Sequence, residues 1–254
     1  MSDLAPQLYP LLFLVGLVAG LVDAVAGGGG VISLPVLLNL GLPVQVALGT
    51  NKLQSSFGAV MAVFRYARHG LLDKRACRVG VIATLAGALA GAATVRVVDA
   101  RFLEAAIPWL LGAIVIYTLL RPKVGEGDHA PRLGAPVFFT VFGLGLGFYD
   151  GFFGPGTGSF WTIALVGLMG YNFLKATAYT KVMNATSNLA SLAIFAVGGQ
   201  VHLTAGLVMG AGQLIGARLG AGLAITRGAR FVRPVFICMV LAVMARLLYV
   251  RLAN

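Results

Sequence analysis

Long apolar runs separated by short polar connections make up most of the chain. The runs begin near Pro10, Pro43, Val79, Phe102, Val137, Phe173, Leu203 and Val235. Several reach or approach the ~20 residues that a helix needs to cross a membrane. Hydrophobic residues account for 59% of the chain and charged residues for 11%, whereas soluble domains are about a quarter charged. The pattern predicts an all-α integral membrane protein whose surroundings are the lipid bilayer.

The chain carries the same landmarks twice. Gly-Leu-Val-Asp at 20–23 recurs as Gly-Phe-Tyr-Asp at 147–150, and the glycines at 27–30 recur at 154–158. Asn51 and Lys52 recur as Thr180 and Lys181 at an offset of 129 residues. A nearly constant offset over many landmarks predicts an internal duplication. We therefore expect a first membrane repeat at 1–120, a cytoplasmic linker at 121–136 and a second membrane repeat at 137–254.

Each repeat has the same order of parts. An apolar arm, at 10–26 or 137–153, leads into the glycines, and a shorter apolar arm, at 31–40 or 159–169, follows them. Three longer runs come next, at 44–66, 79–98 and 102–120, and again at 173–197, 203–226 and 234–249. We interpret each pair of arms as a re-entrant helical hairpin, because a glycine loop at membrane depth is tolerated only where it lines a protein cavity.

The basic residues indicate the orientation of the repeats. The connection at 65–78 holds five Lys and Arg residues, whereas its counterpart at 198–203 holds none; the connection at 227–233 is basic again. Because cytoplasmic connections are rich in Lys and Arg, this alternation predicts two inverted repeats with both termini outside and residues 65–78 inside. The net charge of +11 thus reflects topology in a bacterial-type inner membrane, and no nucleic-acid-binding motif accompanies it.

The glycine clusters predict an anion site at the hairpin tips. Glycine lets the backbone turn sharply and approach a ligand closely. The helices that follow would present unpaired N–H groups and the positive ends of their dipoles, which attract anions. The alternative is a tight turn with close helix packing, but two clusters at matching positions, each near an acidic residue, favour a substrate site.

Two lysines lie deep in apolar runs. Lys52 and Lys181 are each nine or ten residues into a predicted helix, about 13–15 Å from its start. A charge at that depth costs at least ~2.5–3.5 kcal/mol, so it has a partner or a function. One interpretation is an ion pair with Asp23 or Asp150, and the other is anion binding; a lysine that leaves its aspartate for an anion would satisfy both. Neighbouring amides and hydroxyls would add neutral donors or serve as polar contacts between helices.

The candidate substrate-binding residues are Gly27, Gly28, Gly29, Gly30, Ser33, Asn51, Lys52, Gln54, Gly154, Gly156, Thr157, Gly158, Ser159, Thr180, Lys181 and Asn184. Asp23 and Asp150 are the candidates for ion pairing or proton coupling. The sequence contains no catalytic, nucleotide-binding or metal-binding signature, so it predicts neither an enzyme nor a cofactor or metal.

Residues 20–30, with Pro35 after them, resemble the opening of the sulfite exporter TauE/SafE family, and Leu-Gly-Thr-Asn-Lys at 48–52 resembles its next landmark. The resemblance runs from about Leu11 to Tyr249. It implies transport of sulfur-containing anions such as sulfite, thiosulfate and organosulfonates. In the second half Pro155 and Thr157 interrupt the glycines, so the two tips need not contribute equally.

The sequence thus predicts a secondary transporter of a small anion that alternates access around a midplane site. An anion channel with the same tips in a fixed pore is the alternative from another class, and a non-transporting subunit of a membrane complex is a third. The expected partners are the anion and the lipid bilayer, and the sequence is also compatible with a homo-oligomer.

Overall fold

The computed structural model describes residues 4–98 and 128–228, together with residues 231, 235 and 238. In this part of the chain all regular structure is helical. After a short 3-10 turn at Pro6–Leu8, the α-helices are α1 (Tyr9–Ala26), α2 (Gly29–Asn39), α3 (Val44–Arg68), α4 (Lys74–Val97), α5 (Ala135–Phe152), α6 (Thr157–Met169), α7 (Phe173–Val197) and α8 (Leu203–Arg227). These helices match the predicted apolar runs closely. The predicted run at 102–120 lies outside the described residues, and so does the run at 234–249 apart from residues 235 and 238.

α1 and α2 form a hairpin. A Cβ on Gly29, the first residue of α2, would lie 2.7 Å from the carbonyl oxygen of Ala19, which is two turns before the end of α1. Leu12 near the start of α1 and Leu37 near the end of α2 belong to one buried apolar cluster. The chain therefore turns back at the glycines and does not continue in the direction of α1.

The second helix of each hairpin is too short to cross a membrane. α2 has 11 residues and α6 has 13, which correspond to about 16 and 20 Å at 1.5 Å per residue. The hydrocarbon core of a bilayer is about 30 Å thick. A short helix that turns back on a longer one is the geometry expected of the predicted re-entrant arm.

Glycines bring α1 against α8, and α5 against α4, at backbone distance. A Cβ on Gly216 of α8 would lie 2.0 Å from the carbonyl oxygen of Leu17, and a Cβ on Gly91 of α4 would lie 2.1 Å from that of Phe148. The contact of Gly87 with Leu144 repeats that of Gly216 with Leu17 at equivalent positions. The first arm of each half thus packs on a long helix of the other half.

α3 and α7, the helices that carry the two lysines, run antiparallel. Gly49 near the start of α3 packs on Phe195 near the end of α7, while the Asp73 N–H, just beyond α3, donates to the Tyr179 hydroxyl near the start of α7 at 3.2 Å. These two helices, which occupy equivalent places in the two halves, therefore point in opposite directions.

Among the described residues, four helical segments are long and apolar enough to cross a membrane: Pro6–Ala26, Cys77–Val97, Ala135–Phe152 and Leu203–Arg227. α3 and α7 have 25 residues each, which is also long enough, but no 18-residue stretch of either is as apolar as the stretches in these four segments. Their polar residues are mostly buried among the other helices, which explains why a protein-facing helix can carry them in a membrane.

The described end of the linker binds Asn172, the N-cap residue of α7. The Asp128 carboxylate accepts hydrogen bonds from the Asn172 backbone N–H and side-chain amide, both at 2.8 Å, and pairs with Lys175 at 3.4 Å. Partial burial by itself raises the pKa of Asp128, but these hydrogen bonds and the Lys175 charge outweigh it and hold the pKa below its ordinary value. The linker is thereby attached to the start of α7.

Candidate functional site

The two hairpin tips meet each other. A Cβ on Gly27 would lie 2.7 Å from the carbonyl carbon of Gly158, and a Cβ on Gly158 would lie 2.9 Å from the Cα of Gly27. Gly28 and Gly156, which precede α2 and α6, have φ of +97° and +83°, values that residues other than glycine rarely adopt. The N-termini of both short helices consequently start at one point, and their dipoles make that point electropositive.

Lys52 pairs with the aspartate of the opposite half. Its Nζ lies 2.6 Å from Asp150 Oδ1 and also donates to the Asp150 backbone carbonyl. The other carboxylate oxygen of Asp150 accepts a short hydrogen bond from the Ser187 hydroxyl. The Lys52 side chain is 1% exposed and that of Asp150 is 5% exposed, so this is a buried ion pair.

Lys181 makes the corresponding pair with Asp23. Its Nζ lies 2.9 Å from Asp23 Oδ2, while Asp23 Oδ1 accepts the Gly29 backbone N–H at 3.1 Å. Lys181 is fully buried, and the Asp23 side chain is 13% exposed. Both lysines therefore bind carboxylates across the boundary between the halves.

A small polar network fixes the orientation of Asn51. Its Oδ1 accepts from the Ser33 hydroxyl at 2.6 Å and from Gln54 Nε2 at 2.8 Å. The Asn51 amide nitrogen is left to donate, and it lies 3.3 Å from where a Cβ of Gly30 would stand. In the second half the equivalent contact joins the hydroxyls of Thr162 and Thr180 at 3.2 Å.

A polar cavity lies where these groups converge. Its lining includes these predicted site residues: Asp23, Gly28, Gly30, Asn51, Lys52, Asp150, Gly154, Gly156, Thr157, Gly158 and Asn184. The other predicted residues do not line it: Gly27, Gly29, Ser33, Gln54, Ser159, Thr180 and Lys181. Gly27 forms the tip contact, and Ser33 and Gln54 hold Asn51. Lys181 is separated from the cavity by its pairing with Asp23.

The model of the family described as sulfite exporter TauE/SafE matches residues 12–247. The chain belongs to this family. It is 42% identical over 247 residues to a protein of Haemophilus influenzae named a probable membrane transporter protein, covering 97% of both chains. It is 40% identical over 245 residues to the probable membrane transporter protein YfcA of Escherichia coli, covering 96% of this chain and 91% of that one. No solved structure is a significant match.

Membership in the TauE/SafE family agrees with the apolar helices, and we conclude that the chain is a multi-pass protein of a membrane transporter family. Within 4–98 and 128–228 no group of three or more His, Cys, Asp or Glu residues could hold a metal ion. The groups that converge on the cavity are lysine, amide, hydroxyl and carboxylate side chains and two helix N-termini.

Sequence reasoning missed two polar side chains of this site. Ser55 lines the cavity, and Ser187 donates to Asp150. Asn188 also lines the cavity, and its position seven residues after Lys181 predicts either an anion donor or a polar contact between helices. Ser55 occupies the position that corresponds to Asn184 at the 129-residue offset, so the repeat itself could have found it. Ser187 corresponds to Gly58, and no repeat signal points to it.

The cavity has room for about one water molecule. An oxyanion of four or more heavy atoms does not fit in this form. Two carboxylates, Asp23 and Asp150, also face the space that an anion would occupy. An anion of this size would fit only if the cavity widened, and an ammonium group that left its aspartate could then contact it.

Proposed function

We propose that the chain is a secondary transporter of a small anion, a sulfur oxyanion or an organosulfonate, and that the anion binds between the two hairpin tips. The observation that carries the proposal is the convergence of two helix N-termini, Lys52 and the Asn51 and Asn184 amides on one buried cavity. Such groups can replace the water shell of an oxyanion. No catalytic function is part of this proposal.

The arrangement of the halves supports alternating access. The antiparallel course of α3 and α7 fits two inverted repeats, at 1–120 and 137–254, around an axis in the membrane plane, with the linker at 121–136 in the cytoplasm of a bacterial-type inner membrane. The lysines are the ninth residues of α3 and α7, about 12 Å along each helix. This depth supports a cavity inside the membrane, where a carrier could expose it to either side in turn.

The substrate class rests on two supports. The electropositive tips select anions, and the family of the chain is named for sulfite export. A thermal-stability screen of the purified protein against sulfite, thiosulfate, taurine, sulfoacetate and acetate tests it. A ligand at 100 times its Kd should stabilise the folded protein by about 2.7 kcal/mol. Stabilisation by acetate and not by the sulfur anions would contradict the substrate class.

Lys52→Met tests the location of the site. The variant should lose the stabilisation by the anion, because it removes the lysine that lines the cavity. Lys175→Met is the matched control, since Lys175 is 35% exposed and pairs with Asp128 away from the cavity. If Lys52→Met binds and carries the anion as well as Lys175→Met does, the anion site lies elsewhere.

An anion channel is the second candidate function, because the meeting tips could also line a pore. Counterflow separates the two. Proteoliposomes loaded with unlabelled anion should accumulate labelled anion transiently if the protein is a carrier, since a carrier exchanges one substrate for another. Simple equilibration of the label without a transient excess would favour the channel.

A further inference from the structure

The two buried ion pairs have different second partners. Asp23 receives the backbone N–H of Gly29, the first residue of α2. An N–H group can only donate, and a helix N-terminus favours a negative charge, so this environment suits the ionised carboxylate. Asp150 instead receives the Ser187 hydroxyl, and among the described residues no backbone N–H reaches its carboxylate.

A hydroxyl can serve both protonation states of a carboxyl group. Ser187 donates to the ionised Asp150 and can rotate to accept from the protonated one. The position equivalent to Ser187 in the first half is Gly58, so Asp23 has no such partner from α3. The two repeats thus differ at a position whose side chain could stabilise a neutral aspartate.

The two lysines also differ in access. Lys52 lines the cavity, so an anion there can meet its ammonium group, whereas Lys181 is fully buried against Asp23 and does not line it. When Lys52 turns to an anion, Asp150 loses its counter-charge while it stays buried. An uncompensated buried carboxylate is costly, and it takes up a proton instead.

We propose that Lys52 and Asp150 form the exchangeable ion pair of this protein: one monovalent anion displaces Asp150 from Lys52, and Asp150 takes up one proton in the same step. Lys181 and Asp23 stay paired throughout. This inference rests on the proposed anion site.

The other titratable groups around Asp150 are few. α3 presents Lys52 and α1 presents Asp23, while Lys181 of α7 is paired with Asp23 and does not line the cavity. On α5 itself the neighbouring Tyr149 donates its hydroxyl to the Pro155 carbonyl at 2.9 Å.

The remaining helices around Asp150 bring no charge to it. α6 has no titratable side chain, and α4 contacts α5 beside Asp150 at Ala88, with its charged residues near its two ends. A proton that enters with the anion therefore has Asp150 as its acceptor, because Asp23 keeps both Lys181 and an N–H donor.

The balance of charge specifies the substrate. Two lysines and two aspartates give the closed site a net charge of zero. One monovalent anion and one proton leave that sum at zero, whereas a divalent anion with one proton leaves a buried negative charge. The site thus suits a monovalent oxyanion, such as a sulfonate or hydrogen sulfite, carried together with a proton.

Proton uptake on binding tests the inference. Purified full-length protein in weakly buffered solution receives methanesulfonate, which stays a monovalent anion between pH 6 and 8, and a pH indicator reports the protons taken up. We expect about one proton to be taken up per bound anion. The affinity should fall about tenfold per pH unit over the range in which Asp150 of the unbound protein is ionised and paired with Lys52. Asp150→Asn should bind without proton uptake and with the same affinity across this range. Asp23→Asn, whatever its affinity, should keep the uptake and the pH dependence.

Binding by the parent protein without proton uptake would overturn the inference and leave the proposed function intact. Proton uptake that persists in Asp150→Asn would do the same. If methanesulfonate, thiosulfate and sulfite all fail to bind, the proposed function falls and takes the inference with it. Should Asp150→Asn fail to fold, the proton count of the parent protein and the response of Asp23→Asn decide.

Discussion

Removing one member of the Lys181 and Asp23 pair should destabilise the fold far more than removing both. The pair is buried, with side chains 0% and 13% exposed. Breaking a buried ion pair by removing one partner costs about 3–5 kcal/mol, whereas replacing both partners with neutral groups of similar size is often nearly neutral. The double variant Lys181→Met, Asp23→Asn should therefore be more stable than either single variant.

The two single variants should also differ from each other. Lys181→Met leaves an aspartate that keeps the Gly29 N–H and some contact with solvent. Asp23→Asn leaves the fully buried ammonium group of Lys181 without the carboxylate with which it forms an ion pair. We expect Lys181→Met near the lower end of the range of about 3–5 kcal/mol and Asp23→Asn near the upper end.

Denaturant unfolding of the purified protein in detergent micelles, followed by tryptophan fluorescence, measures these differences. The surface pair of Lys175 and Asp128 is the control: its side chains are 35% and 49% exposed, and such pairs contribute about 0–1 kcal/mol. Two results would refute the reasoning. One is a cost for Lys181→Met no larger than for Lys175→Met, and the other is a double variant whose cost equals the sum of the single ones.

Further predictions concern packing, capping and pH. Gly147→Ala should destabilise by about 1–3 kcal/mol relative to Gly145→Ala, because its Cβ would lie 2.6 Å from the Thr84 carbonyl oxygen while that of Gly145 meets nothing within 4 Å; equal stabilities would contradict the close contact of α4 and α5. His202→Ala should cost about 1 kcal/mol through loss of the acceptor that caps α8, and His202→Asn should restore most of it in the same assay. Because the pKa of Asp128 is lowered on folding, its contribution should be full above about pH 4 and disappear as the pH falls through the lowered value, and Asp128→Asn should lack this step in acid titrations.

The helices and the duplication could be predicted from the sequence because both leave local patterns. α3 and α7 begin at Val44 and Phe173, where the apolar runs had been placed, and the glycines at 27–30 do form a tip. An apolar run of a given length and a repeated offset need no knowledge of the partner element. The thickness of the membrane sets the length of the helices, and the backbone freedom of glycine permits the tip.

The pairing across the halves could not be predicted in the same way. The sequence places Asp23 and Lys52 in one half, yet Lys52 binds Asp150 and Asp23 binds Lys181. Which acid meets which lysine depends on the packing of α1 on α8 and of α5 on α4, and glycine stripes show only that some helix approaches closely. Ser187 could not be predicted for a related reason, because α7 carries several hydroxyl side chains and no sequence pattern distinguishes this one.

This interlocking predicts that neither half is stable without the other. Residues 1–127 alone would leave Lys52 without Asp150, and α1 without the helix that covers its glycine face. Residues 128–254 alone would leave Lys181 without Asp23. Each half would thus hold a buried unpaired charge, at about 3–5 kcal/mol, and an open packing surface. We expect the two fragments, cut in the linker before Asp128, to be degraded when expressed singly and to copurify when expressed together. Accumulation of either single fragment in a protease-resistant, monodisperse form would show that the contacts across the halves do not hold the fold.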